Sequence, residues 1–156
     1  MLNCRLNGFE KSKPDLLIVD LDLKIRLSLD IFQKEVKRNI YIFTTKKKHK
    51  NINYLKKKGI KFIQLNRLKN KKDFIQLFNI IRKLRYNRIL VECGLSFLNE
   101  LLKNRLIYNL YLFQSIKALK KNGINNASNR LIKKLRLIKK VKVNLQGDNL
   151  YKIKIK

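Results

Sequence analysis

The sequence predicts a mixed-sheet α/β fold, and three observations carry that prediction. Short apolar runs recur over residues 15–20, 39–45, 60–65 and 88–92, all but the third closed by an acid or a hydroxyl. Helical patterns with short links lie between them, which is the rhythm of βαβ units with parallel strands and right-handed crossovers. The last sixteen residues differ in kind. Val141, Val143 and Leu145 alternate with polar residues, Gly147-Asp148 turns the chain, and Tyr151, Ile153 and Ile155 alternate with lysines. Strict alternation on both sides of a turn predicts an antiparallel hairpin with one wet face.

Taken in order, residues 1–14 are polar, contain Gly8 and Pro14, and read as a lead-in. Asp15-Leu-Leu-Ile-Val-Asp20 is a buried-strand pattern closed by an acid, and Asn39-Ile-Tyr-Ile-Phe-Thr-Thr45 is a second closed by two hydroxyls. Leu29, Ile31 and Phe32 between them predict a short packed helix. Residues 52–58 form a basic helical turn or two that Gly59 stops in the usual C-terminal position. Residues 60–65 are the third strand, and the run Lys69 to Lys72 reads as a solvated loop. Asp73 then caps a helix whose apolar stripe is Phe74, Leu77, Phe78, Ile81 and Leu84, the spacing of a helix covering a sheet. Arg88-Ile-Leu-Val-Glu92 is the fourth strand, Gly94 the turn after it, and residues 96–103 a helix starting from Ser96. Residues 107–113 are another strand, and residues 114–134 a long loop with Gly123 and several asparagines. With no internal repeat, the expectation is a single domain over residues 1–156, and that length is enough for a core.

Charge is the other strong feature, with 39 basic and 10 acidic residues and a formal charge of +29. Such a balance suggests nucleic acid or an anionic surface. The lysines, however, are spread along the whole chain among Ile, Leu and Asn, which resembles compositional drift of a proteome more than a designed patch. Neither a paired zinc-finger spacing nor an RRM-like aromatic signature is present. Non-specific nucleic-acid binding is expected from charge alone. Cys4 and Cys93 make no disulfide framework. A single histidine, His49, excludes a zinc site or a Ser-His-Asp centre built within one chain. No apolar run approaches the ~20 residues of a membrane span. The expectation is a reduced, cytoplasmic, metal-free protein without a membrane partner.

The chemistry-bearing candidates fall at strand ends. Asp20, Thr44, Thr45 and Glu92 would together line one edge of a parallel sheet, where open α/β sheets bind ligands. Glu92 followed by Gly94 and a helix start puts a carboxylate beside free N–H groups that suit a phosphate. Each has a plainer reading. Glu92 could be a solvated carboxylate or pair with Arg88, Ser96 could be only a helix cap, and β-propensity explains the threonines. Nothing supplies a nucleophile or a general-base pair. A protein of this kind would position two bound molecules, as hydride transfer requires.

With those residues in view, the chain resembles the carboxyl-terminal reductase domain of the bifunctional bacterial riboflavin-biosynthesis deaminase/reductase, a relative of the dihydrofolate reductase fold. The family's Val-Glu-Gly-Gly-x-x-Leu element appears as Val91-Glu92-Cys93-Gly94-Leu95-Ser96-Phe97. Leu2-Asn-Cys-Arg-Leu6 resembles the tail of its Asp-x-Pro-x-Leu-x-x-Arg segment. Residues 16–20 and 42–45 resemble its next two strands, residues 106–113 the strand after the glycine element, and residues 147–150 its final hairpin. The resemblance implies a dihydrofolate-reductase-like, mostly parallel sheet with flanking helices and a C-terminal antiparallel hairpin. It implies NADPH-dependent reduction of 5-amino-6-(5-phosphoribosylamino)uracil. Leu2, Arg5 and Glu92 would bind that substrate, Arg5 as a phosphate ligand. Thr44, Thr45, Gly94, Leu95, Ser96, Phe97, Leu98, Asn99 and Glu100 would bind NADPH.

Two departures shape the expectation. Cys93 stands where the family has its first glycine, and would crowd the backbone if that position needs positive φ. The family's opening Lys-x-Ala-x-Ser-x-Asp-Gly strand, its tryptophan segment and its Gly-x-x-Thr loop have no counterpart, and neither does the zinc deaminase domain. The chain therefore reads as a truncated reductase domain completed by a separate chain, with a homodimer as a further partner. An inactive remnant and a basic nucleic-acid-binding protein are the alternatives.

Overall fold

The computed structural model describes residues 13–33, 38–115, 133–143 and 147–155. The chain divides into two compact units, Met1–Arg85 and Tyr86–Lys156. The first unit holds a three-stranded parallel sheet in the order β1-β2-β3, with β1 Leu16–Val19, β2 Ile40–Thr44 and β3 Lys61–Gln64. Leu16 pairs with Ile40 and Val19 with Phe43, while Tyr41 pairs with Lys61 and Thr44 with Gln64. β2 is the middle strand, and its sequence Ile-Tyr-Ile-Phe-Thr is nearly continuous in apolar character, as a strand covered on both faces requires. Ile42 and Phe43 point to opposite faces by strand alternation, yet both are fully buried.

Ile40 and Ile42 join Leu23, Phe32, Leu55 and Ile60 in one core cluster. Phe32 comes from α1, Asp30–Gln33, the short helix expected between the first two strands. Leu55 comes from α2, Lys50–Lys57, whose first turn is capped by His49 Nδ1 accepting from Asn51 N at 3.2 Å. Gly59 stops this helix at φ +76°, where its N–H donates to the Lys56 carbonyl and the Ile60 N–H to that of Leu55. That pair of bonds satisfies carbonyls the helix end would leave open, and a glycine takes the left-handed conformation without a Cβ penalty.

α3, Lys71–Lys83, buries Phe74, Leu77 and Ile81, as its apolar spacing predicts. Each such side chain contributes about 1.5–3 kcal/mol of burial. Its start differs from the expectation. Asn70 is the N-cap, accepting from Asp73 N, and Asp73 reaches back to Asn70 N, so the two form a capping box. Asp73 is therefore the third helical residue rather than the cap, and Lys71 and Lys72 belong to the first turn rather than to a loop. The Asp73 carboxylate also accepts from Lys69 N at 2.8 Å and pairs with Arg67 Nε at 3.2 Å. The Lys69 N–H holds its carboxyl below the ordinary range, with Asn70 N–H and Arg67 adding to the effect.

The second unit holds α4, Leu95–Lys103, and an antiparallel pair, β4 Asn109–Gln114 with β5 Asn149–Lys154. β4 is thus the main partner of the terminal strand. The segment before the Gly147 turn adds one bridge, Lys140 to Tyr151, on which Val141 N donates to Leu150 O and Lys152 N to Lys139 O. The expected strand at 88–92 is not formed: residues 86–94 carry no strand pairing among the described residues, and Leu90 is 79% exposed. An apolar run specifies a strand only where a neighbouring edge supplies its hydrogen bonds, and none does so here. Most of the loop expected at 114–134 lies outside the described residues.

Candidate functional site

At the carboxyl end of the parallel sheet, β1 and β2 deliver Asp20, Thr44 and Thr45 to one place, as the sequence predicts. What they do there is to hold a turn. Asp20 Oδ1 accepts from Lys24 N at 3.1 Å and Oδ2 from Ile25 N at 2.7 Å, so the carboxylate closes the 21–25 turn. The turn buries Leu23, which takes a positive φ of 55°. Leu21 O accepts from Thr44 Oγ1 at 2.9 Å, Thr45 Oγ1 at 2.8 Å and Thr45 N at 3.1 Å. Thr44, almost wholly buried, also accepts from Lys46 N. Gln64, at the end of β3, donates to Thr45 O at 2.7 Å.

Asp22 and Lys46 complete this edge and were not among the sequence candidates. Asp22 meets Lys24 Nζ at 3.2 Å and Lys46 Nζ at 3.4 Å. The Lys24 hydrogen bond, reinforced by Lys46, lowers the Asp22 pKa. The available signal was an acid two residues beyond Asp20, inside the turn that Asp20 closes. Lys47 and Lys48 follow, exposed. This edge therefore combines two hydroxyls that donate to Leu21, the carboxylates of Asp20 and Asp22, and the exposed Lys46, Lys47 and Lys48.

The second candidate element is in the other unit. Gly94, rather than Ser96, is the N-cap of α4, and it makes no side-chain cap bond. Ser96 is the second helical residue. Gly94 has φ −74° and open space where a Cβ would stand, so neither strain nor packing demands a glycine there. Cys93 takes no positive φ, and the expected crowding at this position does not arise. Its thiol is exposed, and desolvation by the protein around its sulfur raises its pKa. Glu92 is exposed and makes no ion pair or hydrogen bond among the described residues, Arg88 included. Residues 88–92 form no strand, so Glu92 does not stand at a strand end. Leu95, Phe97, Leu98, Asn99 and Glu100 lie half-buried on α4. Leu2 and Arg5 lie outside the described residues.

Among the described residues, no group of His, Cys, Asp and Glu could hold a metal ion, and no helix is long and apolar enough to cross a membrane. No protein-family model and no curated protein matches the chain.

Proposed function

We propose that the chain is a dihydrofolate-reductase-like pyrimidine reductase domain that uses NADPH to reduce 5-amino-6-(5-phosphoribosylamino)uracil. The observation that carries this reading is the parallel sheet itself. Its first two strands are the two that resemble the reductase family, and they end together in Asp20 and the Thr44-Thr45 pair. A separate chain supplying the family's opening segment, and a homodimer, belong to the same proposal.

The residues present fit the cofactor unequally. The Gly94 turn fits: α4 starts without a side-chain acceptor, and the space beside Gly94 is open. The first N–H groups of α4 would hold a pyrophosphate there. Thr44 does not fit as a direct ligand, because its hydroxyl already donates to Leu21 and accepts from Lys46. Its role in this reading is to fix the turn against which a ligand rests. Thr45 keeps an accepting lone pair, and Lys47 and Lys48 supply positive charge. Glu92, exposed and without an ion pair or hydrogen bond among the described residues, would accept a hydrogen bond from the pyrimidine. Bound NADPH would supply the hydride that reduces the ribosylamino group. The protein's own contribution is orientation.

Titration of the full chain with NADPH, followed by cofactor fluorescence at 150 mM salt, tests the cofactor half of the proposal. Saturable binding that Gly94→Ala weakens at least tenfold, without unfolding, is the expected result. Binding unaffected by Gly94→Ala, or no saturable binding by folded protein, would overturn it.

A further inference from the structure

The second unit contains a groove of about 650 Å³. Arg105, Lys134, Arg136, Lys139, Lys152 and Lys154 line it, and among the described residues no carboxylate does. Its remaining lining is aliphatic, including Leu102, Leu135 and Ile153. Six cations around one concavity without an acid repel one another, and that repulsion is relieved by an anionic occupant.

The adjoining sheet says which anion. Strand pairing sets Tyr111 opposite Lys152 and Asn109 opposite Lys154, so these four side chains share one face of β4–β5. Phe113 follows two residues after Tyr111 on that face, about 7 Å along the strand. Both rings are open to solvent, at 48% and 66% exposure. Lys152 Nζ sits 5.7 Å from the Tyr111 ring centroid and also lines the groove, so it joins the aromatic face to the basic one. An acidic peptide or a small phosphate would use the cations and leave the rings in water. A chain of phosphates carrying flat bases uses both.

We infer that this face is a binding site for single-stranded nucleic acid, with the groove cations on the phosphates and Tyr111 and Phe113 stacking on bases. It is independent of the reductase proposal and uses none of its residues. Stacking on an aromatic side chain contributes about five- to a hundredfold per base. Charge alone would give binding indifferent to bases and steeply lost in salt.

One comparison separates the site from bulk charge. Arg105 and Arg85 both take positive φ one residue beyond a helix C-cap, Asn104 and Leu84, at 53° and 69°. Arg105 lines the groove, whereas Arg85 belongs to the first unit. Arg105→Gly and Arg85→Gly therefore remove the same charge and relieve the same backbone conformation. The full chain would be titrated at 150 mM salt into a fluorescein-labelled fifteen-nucleotide oligothymidine, with anisotropy as readout. The same-length abasic strand and polyglutamate would be the comparison ligands.

The site predicts that oligothymidine binds at least about tenfold tighter than the abasic strand, and that polyglutamate competes poorly. Tyr111→Ala and Phe113→Ala should each remove most of that margin, while Tyr111→Phe keeps it. Arg105→Gly should weaken binding severalfold more than Arg85→Gly. Equal binding of the two strands, equal competition by polyglutamate, or equal effects of the two arginine variants would overturn the inference. Tyr111→Phe, which keeps the ring, guards against mistaking misfolding for loss of stacking.

Discussion

Thr45 and Leu21 are bound twice over: the Thr45 hydroxyl and backbone N–H both donate to the Leu21 carbonyl, at 2.8 and 3.1 Å. Thr44 donates to the same oxygen, so the end of β2 and the turn after β1 are one hydrogen-bonded unit. Thr44→Val keeps the shape of the side chain but removes a buried donor and the acceptor for Lys46 N. It should destabilise the chain by about 1–2 kcal/mol. Thr45→Val, in a half-buried position with its backbone bond intact, should cost about 0.5–1 kcal/mol. Urea midpoints at constant slope measure both, and the order Thr44 above Thr45 is the result to check.

Acid stability should depend on Asp73. Its folded-state pKa lies below its ordinary value of 3.8, so its stabilising contribution is complete above that value. It is lost as pH falls through the folded pKa, when protonation weakens the bonds from Lys69, Asn70 and Arg67. Asp73→Asn should be less stable than the parent at pH 7, and should lose less further stability between pH 4 and pH 2.5. Urea midpoints across that range show the difference in slope. Asp22 contributes in the same direction through Lys24 and Lys46, and its pairs, being exposed, should fade in salt.

Helix α3 anchors its unit through Leu77, which is 1% exposed. Leu77→Ala should cost about 2–5 kcal/mol, the range for a large-to-small change at a fully buried site. Ile75→Ala, on the same helix but 40% exposed, should cost about 0.5 kcal/mol or less. Chemical denaturation of the two variants tests the assignment of the buried face.

The stripe Phe74, Leu77, Ile81 was legible because a helix must bury residues at that spacing, and Gly59 was legible because a helix end favours a left-handed residue without a Cβ. The parallel strands were legible from apolar runs closed by Asp20 and by Thr44-Thr45. The run at 88–92 misleads for a physical reason. Its residues state a preference for burial in an extended conformation, but pairing depends on an edge elsewhere in the chain, and Leu90 remains exposed. Asn70 was missed as a cap because Asp73 is itself an acceptable cap, and only the reciprocal bond distinguishes the two. The aromatic face of β4 was also beyond the sequence. Alternation gives the two faces of a strand without saying which one a neighbour covers.

Arg105→Gly and Arg85→Gly should each raise stability by about 1 kcal/mol, because glycine takes positive φ without the crowding an arginine incurs. Thermal melts against the parent check this, and a loss of stability in either would contradict the helix-end geometry.

The proposed reductase activity is tested by NADPH oxidation at 340 nm with 5-amino-6-(5-phosphoribosylamino)uracil. The folded full chain would be assayed alone and with the reductase family's opening segment added in trans. Substrate-dependent oxidation in at least one arm, lowered at least tenfold by Glu92→Gln, is the expected result. A folded chain that oxidises no NADPH in either arm, or one whose turnover ignores Glu92→Gln, would contradict it.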